Sequence, residues 1–282
     1  MSPLTRRGVT LIETVVALAV LALTGVPIVT VLLWSRRTYV AEAGRVEVER
    51  NLRIAAAILV PELRALDAAD SDIAAMSATS ITIRAMRQLA FLCVAPSGQL
   101  SFVVRQRPVF GTPASFRAGD SVLLYLEGDA GSRSDDAWLR GQVTATGAED
   151  CPDKDHARPG VRLTLDGTES PPPPRGAVTN GSPLRGFMTV TYASYQSPSD
   201  GEWYLGQRIA GATFQPLAGP LTGPGGLAFT YYDSSGAMTA APTAVWQIGI
   251  RVCERSPRPP HAVGSLVTWV TLRNNPRCLP CP

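Results

Sequence analysis

Between Val9 and Trp34 the chain reads VTLIETVVALAVLALTGVPIVTVLLW, 26 residues in which Glu13 is the only charge. Spanning a bilayer takes roughly 20 apolar residues, and a helix rising about 1.5 Å per residue carries this run across about 39 Å. The run is longer than the apolar region of a secretory signal. Beyond it, apolar residues return every three or four positions at Val40, Ala43, Val46, Ile54, Ile58, Leu59, Leu63 and Leu66. That spacing predicts an amphipathic continuation of the same helix over 35–68, its stripe packed under a globular head. Gly44 and Pro61 are its weak points, and Pro61 is expected to kink or interrupt it near the end.

From about residue 79 the period changes to short runs rich in β-branched and aromatic residues, bounded by Gly, Pro, Ser and Asp. These predict strands at Ser80–Arg84, Gln99–Arg105, Ser121–Glu127, Ala137–Thr144, Val161–Leu165 and Phe187–Tyr195. Further strands are expected at Glu202–Ile209, Leu227–Asp233, Val245–Val252 and Leu266–Arg273. No second helix of comparable length is visible, so the fold class is α+β, a long helix on a mostly antiparallel sheet. The segment near 170–183, opening with Pro171–Pro174, reads as a stiffened exposed loop. It divides the head near residue 180 into two sheet-containing halves.

The N-terminal run carries the chemistry. Before it stands MSPLTRRG with Arg6 and Arg7, and Arg36 and Arg37 follow it, so the basic flanks do not set an orientation. A carboxylate inside a membrane helix costs a few kcal/mol and is a functional candidate by default. If the chain were cut after Gly8, a new ammonium at Val9 would lie at nearly the depth of Glu13. The amine of one helix could then pair with Glu13 of a neighbour.

The stretch Arg6-Arg7-Gly8-Val9-Thr10-Leu11-Ile12-Glu13 resembles the class III leader of type IV prepilins and type II secretion pseudopilins. The resemblance implies that residues 1–8 are a leader removed after Gly8 by a prepilin peptidase. It also implies that Val9 becomes the N-methylated terminus and that Glu13 is the carboxylate guiding filament assembly. Val9 departs from the usual Phe. Residues 9–34 would then be the membrane and filament-core segment, and 79–282 a β-rich head. The stretch 220–275, with Pro220-Leu-Thr-Gly-Pro-Gly-Gly226 and Thr271-Leu-Arg-Asn274, is similar to larger minor pilins of the PilW type and to J-type pseudopilins. The implied partners are the peptidase, other pilin subunits through the helix, an inner-membrane assembly platform and membrane lipid. The implied location is the bacterial inner membrane, single pass with a periplasmic head, and then an extracytoplasmic filament.

Other readings of the run are an ordinary anchor, which would not need Glu13, and a cleaved secretory signal. The small-x-small string Ala41-Glu42-Ala43 suits the latter, but Arg36 and Arg37 stand between it and the apolar run. The main alternative function is a single-pass anchored extracytoplasmic binding module or enzyme that joins no filament.

Composition narrows the remainder. There are 26 Lys+Arg against 23 Asp+Glu, a net charge of +3, too balanced for a broad basic field, so no nucleic-acid partner is expected. Charged residues are 17%, below the roughly 25% of soluble domains, and the apolar run explains much of that deficit. The only lysine, Lys154, follows no Gly-rich turn, which excludes a P-loop. With two histidines, His156 and His261, candidates for a His base or ligand are few. Ser265 lacks the second glycine of a nucleophile elbow. No catalytic residue, cofactor or metal site is expected: Cys151, Asp153, Asp155 and His156 mix soft and hard ligands, and Asp129, Asp135 and Asp136 read as a solvated loop.

A head outside the cytoplasm permits disulfides, and five cysteines leave at least one unpaired within the chain. Connectivity does not follow from sequence. Cys93–Cys151 is the pairing expected in the first half, with Cys253 meeting Cys278 or Cys281 in the second. The terminal Cys278-Leu-Pro-Cys281 lacks the strand-to-helix context of a redox motif.

Overall fold

In the computed structural model, described for residues 10–96, 100–106, 109–128, 136–152, 158–166 and 178–273, one helix, α1, runs unbroken from Leu11 to Arg64. Its 54 residues extend about 81 Å at 1.5 Å per residue. Pro27 and Pro61 both lie inside it. Contrary to expectation Pro61 does not interrupt the helix, which continues for one more turn and closes with Ala65 N–H donating to the Pro61 carbonyl at 3.2 Å. Arg273 N–H then caps the Arg64 carbonyl at 2.9 Å.

All large apolar side chains from Leu11 to Trp34 are exposed, so this half of α1 is long and apolar enough to span a membrane. The second half buries Gly44, Val48, Leu52, Ala55, Leu59 and Leu63, spaced as one helical face. Burying a leucine there contributes about 2 kcal/mol. Leu59, Leu63 and Leu66 are buried as expected, but Ala43 and Val46 are exposed. Two rows of small and apolar residues satisfy the same spacing. The head packs on the row containing Gly44, where a Cβ would lie 3.2 Å from Ser256 Oγ.

The head is α+β with α1, as expected. Its strands are β1 (Ile73–Met76), β2 (Ser80–Val94), β3 (Ser101–Arg105), β4 (Phe110–Gly111), β5 (Ser121–Leu126), β6 (Ala137–Cys151) and β7 (Arg158–Leu165). There follow β8 (Pro183–Gln196), β9 (Trp203–Ile209), β10 (Gln215–Ala218), β11 (Leu227–Tyr232), β12 (Gln247–Arg255) and β13 (Val263–Thr271). Each expected strand is present; β2, β6 and β8 extend well beyond the expected ends, and β1, β4 and β10 are additional.

The long antiparallel ribbon of β2 and β8, paired from Ser80↔Ala193 to Phe91↔Pro183, organises the head. Its proximal half continues into β1 on one side and β9–β10 on the other. Here Ile81, Ile83, Val190, Tyr192 and Leu205 share one core with the Leu59 and Leu63 face of α1. The separate sheet β11–β12–β13 completes that core against the helix. The distal half closes with β3, β7, β6 and β5 into an antiparallel ring of six strands, a small barrel. Phe102, Leu124, Leu163 and Leu184 fill it.

A bulge at Arg87 connects the two cores. Inward positions on β2 are Ile81, Ile83 and Ala85 before it and Gln88, Ala90 and Leu92 after it. The extra residue shifts the inward positions of β2 from odd to even, while their partners Tyr192, Val190, Gly186 and Leu184 on β8 keep one alternation, so a single face of the ribbon serves both cores. The expected division near residue 180 is not a division between sheets, because β8 inserts between β2 and β5.

Candidate functional site

Glu13 stands in the first turn of α1, exposed, at the head of an apolar strip formed by Ile12, Val16, Ala17, Val20 and Leu21. Thr10 is the N-cap, with extended φ −79° and ψ 153°. Glu13 N–H donates to Thr10 Oγ1 at 3.4 Å. In return Glu13 Oε2 accepts from Thr10 N–H at 3.0 Å and from Thr10 Oγ1 at 3.1 Å. This reciprocal capping box satisfies backbone donors that the first turn otherwise leaves unpaired. The chain alone therefore supplies a partner for this carboxylate, which sequence reasoning had assigned only to a neighbouring subunit. The Thr-x-x-Glu spacing was the available signal. The leader residues Arg6, Arg7 and Gly8, and Val9 after the expected cut, lie outside the described residues.

In the head, Cys93 at the end of β2 and Cys151 at the end of β6 form a disulfide, the pairing expected for the first half. It stitches together two strands of the barrel wall that are not neighbours in the ring. Cys253, on the outward face of β12, is half-buried and has no disulfide partner among the described residues. Its expected partners Cys278 and Cys281 lie outside the described residues, as do Lys154, Asp129, Asp135, Asp153, Asp155 and His156. Asp136 Oδ1 accepts from Gly128 N–H at 3.2 Å and closes its own loop. Among the described residues no three His, Cys, Asp or Glu side chains converge on a metal position. His261 Nδ1 lies 2.7 Å from the Ser256 carbonyl, within its own loop.

Three features were not anticipated. Glu254 is fully buried on the inward face of β12, and neither carboxylate oxygen has a hydrogen-bond partner. Burial without compensation pushes its pKa up to about 7. Strict alternation was the signal: Ile248, Ile250, Val252 and Glu254 share one face. Asp72, in the turn after α1, accepts from Asp67 N–H at 2.9 Å, and burial pushes it up to about 6. On the barrel exterior Arg84 and Arg140 flank the Phe187 ring at 5.8 and 5.7 Å, and Arg185 lies 4.1 Å over Trp138. These arginines come from three strands, so no one-dimensional pattern shows their grouping.

Beside the disulfide, a cleft of about 570 Å³ opens between Phe91, Arg105, Phe110 and Asn180. Among the described residues that line it there is no paired acid and base. The most distinctive chemistry therefore remains at the N-terminus, where a single carboxylate meets an uncharged, exposed helix surface. No protein-family model, curated protein or solved structure matches the chain.

Proposed function

We infer that the chain is a minor pilin or pseudopilin, a structural subunit of a type IV pilus or type II secretion pseudopilus. The observation that carries this reading is Glu13, the only charge on the exposed apolar half of α1, one turn from its start. The preceding basic-Gly leader and the head seated only on the second half of α1 support it. An isolated apolar helix needs no carboxylate at that depth, whereas a helix bundling with copies of itself can use one for alignment.

In this reading a prepilin peptidase cuts after Gly8 and Val9 is N-methylated. The subunit waits in the inner membrane with its head in the periplasm until the assembly platform extracts it. On assembly Glu13 Oε2 exchanges its Thr10 donors for the ammonium at Val9 of an adjoining subunit. That exchange replaces neutral donors by an ammonium, so the carboxylate gains a full opposite charge in surroundings of low dielectric, where such attraction is strongest. The apolar faces then bury one another in the filament core.

Glu13→Ala tests the reading. The variant is expected to remain in the membrane fraction and be absent from sheared filaments or pseudopili. Incorporation at the wild-type level would overturn the proposal and leave a single-pass anchored head acting alone.

A further inference from the structure

Among the described residues, the edges of the head's sheets are closed off with one exception. The outer strands of the large sheet are β1, β4 and β10: β4 has two residues, β1 and β10 have four each and are both broken by a register shift, and β10 contains Pro216. β11 is tied down at Phe229 N–H, which donates to the Ala78 carbonyl at 2.8 Å, and at Tyr231 Oη, which donates to the Ser77 carbonyl at 3.0 Å. Short length, bulges, proline and covering contacts are the usual devices against strand addition.

β13 has none of them. Its nine residues, Val263 to Thr271, contain no charge and no proline, and its pairing with β12 is regular throughout. Leu272 N–H points inward to the Trp246 carbonyl, while Arg273 N–H points away, to Arg64. The alternation of a strand then directs the backbone groups of Val263, Ser265, Val267, Trp269 and Thr271 to the open edge. Among the described residues nothing bonds to them. The same residues turn their side chains to solvent, with Val263 68%, Val267 50% and Trp269 58% exposed. The Trp269 indole lies across Gly249 of β12, where a Cβ would be only 3.5 Å from its Nε1. Beside Val267 stands Arg251, exposed and without an ion pair among the described residues.

We propose that β13 is a docking strand that accepts an extended segment of another protein by strand addition. Backbone bonds to the five outward residues would supply affinity, and side chains on alternate positions would supply selectivity. The segment presents apolar residues to Val267 and Trp269 and a carboxylate to Arg251. A second copy is disfavoured in the common two-fold arrangement, because β13 runs in the direction of α1. Gly264 lies under Val48 and Leu52, and Arg273 meets Arg64. Antiparallel pairing of two β13 edges would point two long helices in opposite directions, which two copies inserted alike in one membrane cannot do.

The test uses the full chain in detergent micelles and a synthetic strand peptide matched to β13 in length. Thr fills alternate positions of the peptide, and Val with one Glu fills the others. Amide exchange at Ser265, Val267, Trp269 and Thr271 is expected to be fast in the free chain and at least about tenfold slower with peptide. Val267→Pro removes an edge donor without touching the β12 ladder, so it is expected to abolish that protection while leaving the melting temperature unchanged. Trp269→Lys is expected to weaken peptide binding in an otherwise native head. Three results overturn the proposal. They are absence of peptide protection, protection in the free chain that disappears on truncation after Arg273, and protection that grows with protein concentration alone.

Discussion

Replacing Glu254 by Gln removes a titration from the core between α1 and the sheet of β11, β12 and β13. The carboxyl is fully buried with both oxygens unpartnered, and burial moves its pKa from 4.5 to about 7. A raised folded-state pKa means the native chain holds the proton more tightly than the unfolded one. The contribution is therefore complete below about pH 4.5 and is lost as pH rises through about 7. The displacement corresponds to about 3 kcal/mol between those limits. Asp72, pushed up to about 6 by burial, and Asp67, raised by burial and by Asp70, add to the slope with the same sign. The informative quantity is thus the difference between wild type and Glu254→Gln. In urea unfolding of the full chain in micelles, wild type should lose about 3 kcal/mol more than the variant between about pH 5 and about pH 8. The absolute level of the variant is immaterial, since a buried amide carries its own desolvation cost. Parallel curves for the two proteins would refute the reasoning.

Other outcomes follow from the packing. Reducing Cys93–Cys151, which closes a separation of 58 residues, is expected to destabilise the barrel by up to about 4 kcal/mol, read as a lowered melting transition with reductant. Gly264→Ala places a Cβ 2.7 Å from Val48 Cγ1 and 3.2 Å from Leu52 Cδ1, and should cost about 1–3 kcal/mol in urea unfolding. Gly147→Ala meets nothing within 4 Å and should leave stability within about 0.5 kcal/mol.

The helix was legible because its two signals are local: an uninterrupted apolar run and then a return every three or four residues. The exact stripe was not, since spacing alone admits both the Val46 row and the Gly44 row, and only the approach of Ser256 selects between them. Strands were visible wherever alternation held. β2 was read to Arg84 because the bulge at Arg87 reverses the alternation. Beyond it Gln88, a polar residue, occupies a buried position with its amide donating to the Pro113 and Ser115 carbonyls at 2.8 Å. The barrel was invisible because its closure joins residues as distant as Phe91 and Pro183. At the N-terminus the Thr10–Glu13 pair could be read from spacing, whereas the open edge of β13 exists only once β11 and β12 are placed.

Mass spectrometry of the N-terminal peptide decides whether the chain is cut after Gly8, as the proposed function requires. N-methyl-Val9 as the first residue is the predicted result. A chain still beginning at Met1, or one beginning at Gly44 after cleavage of a secretory signal, would contradict it.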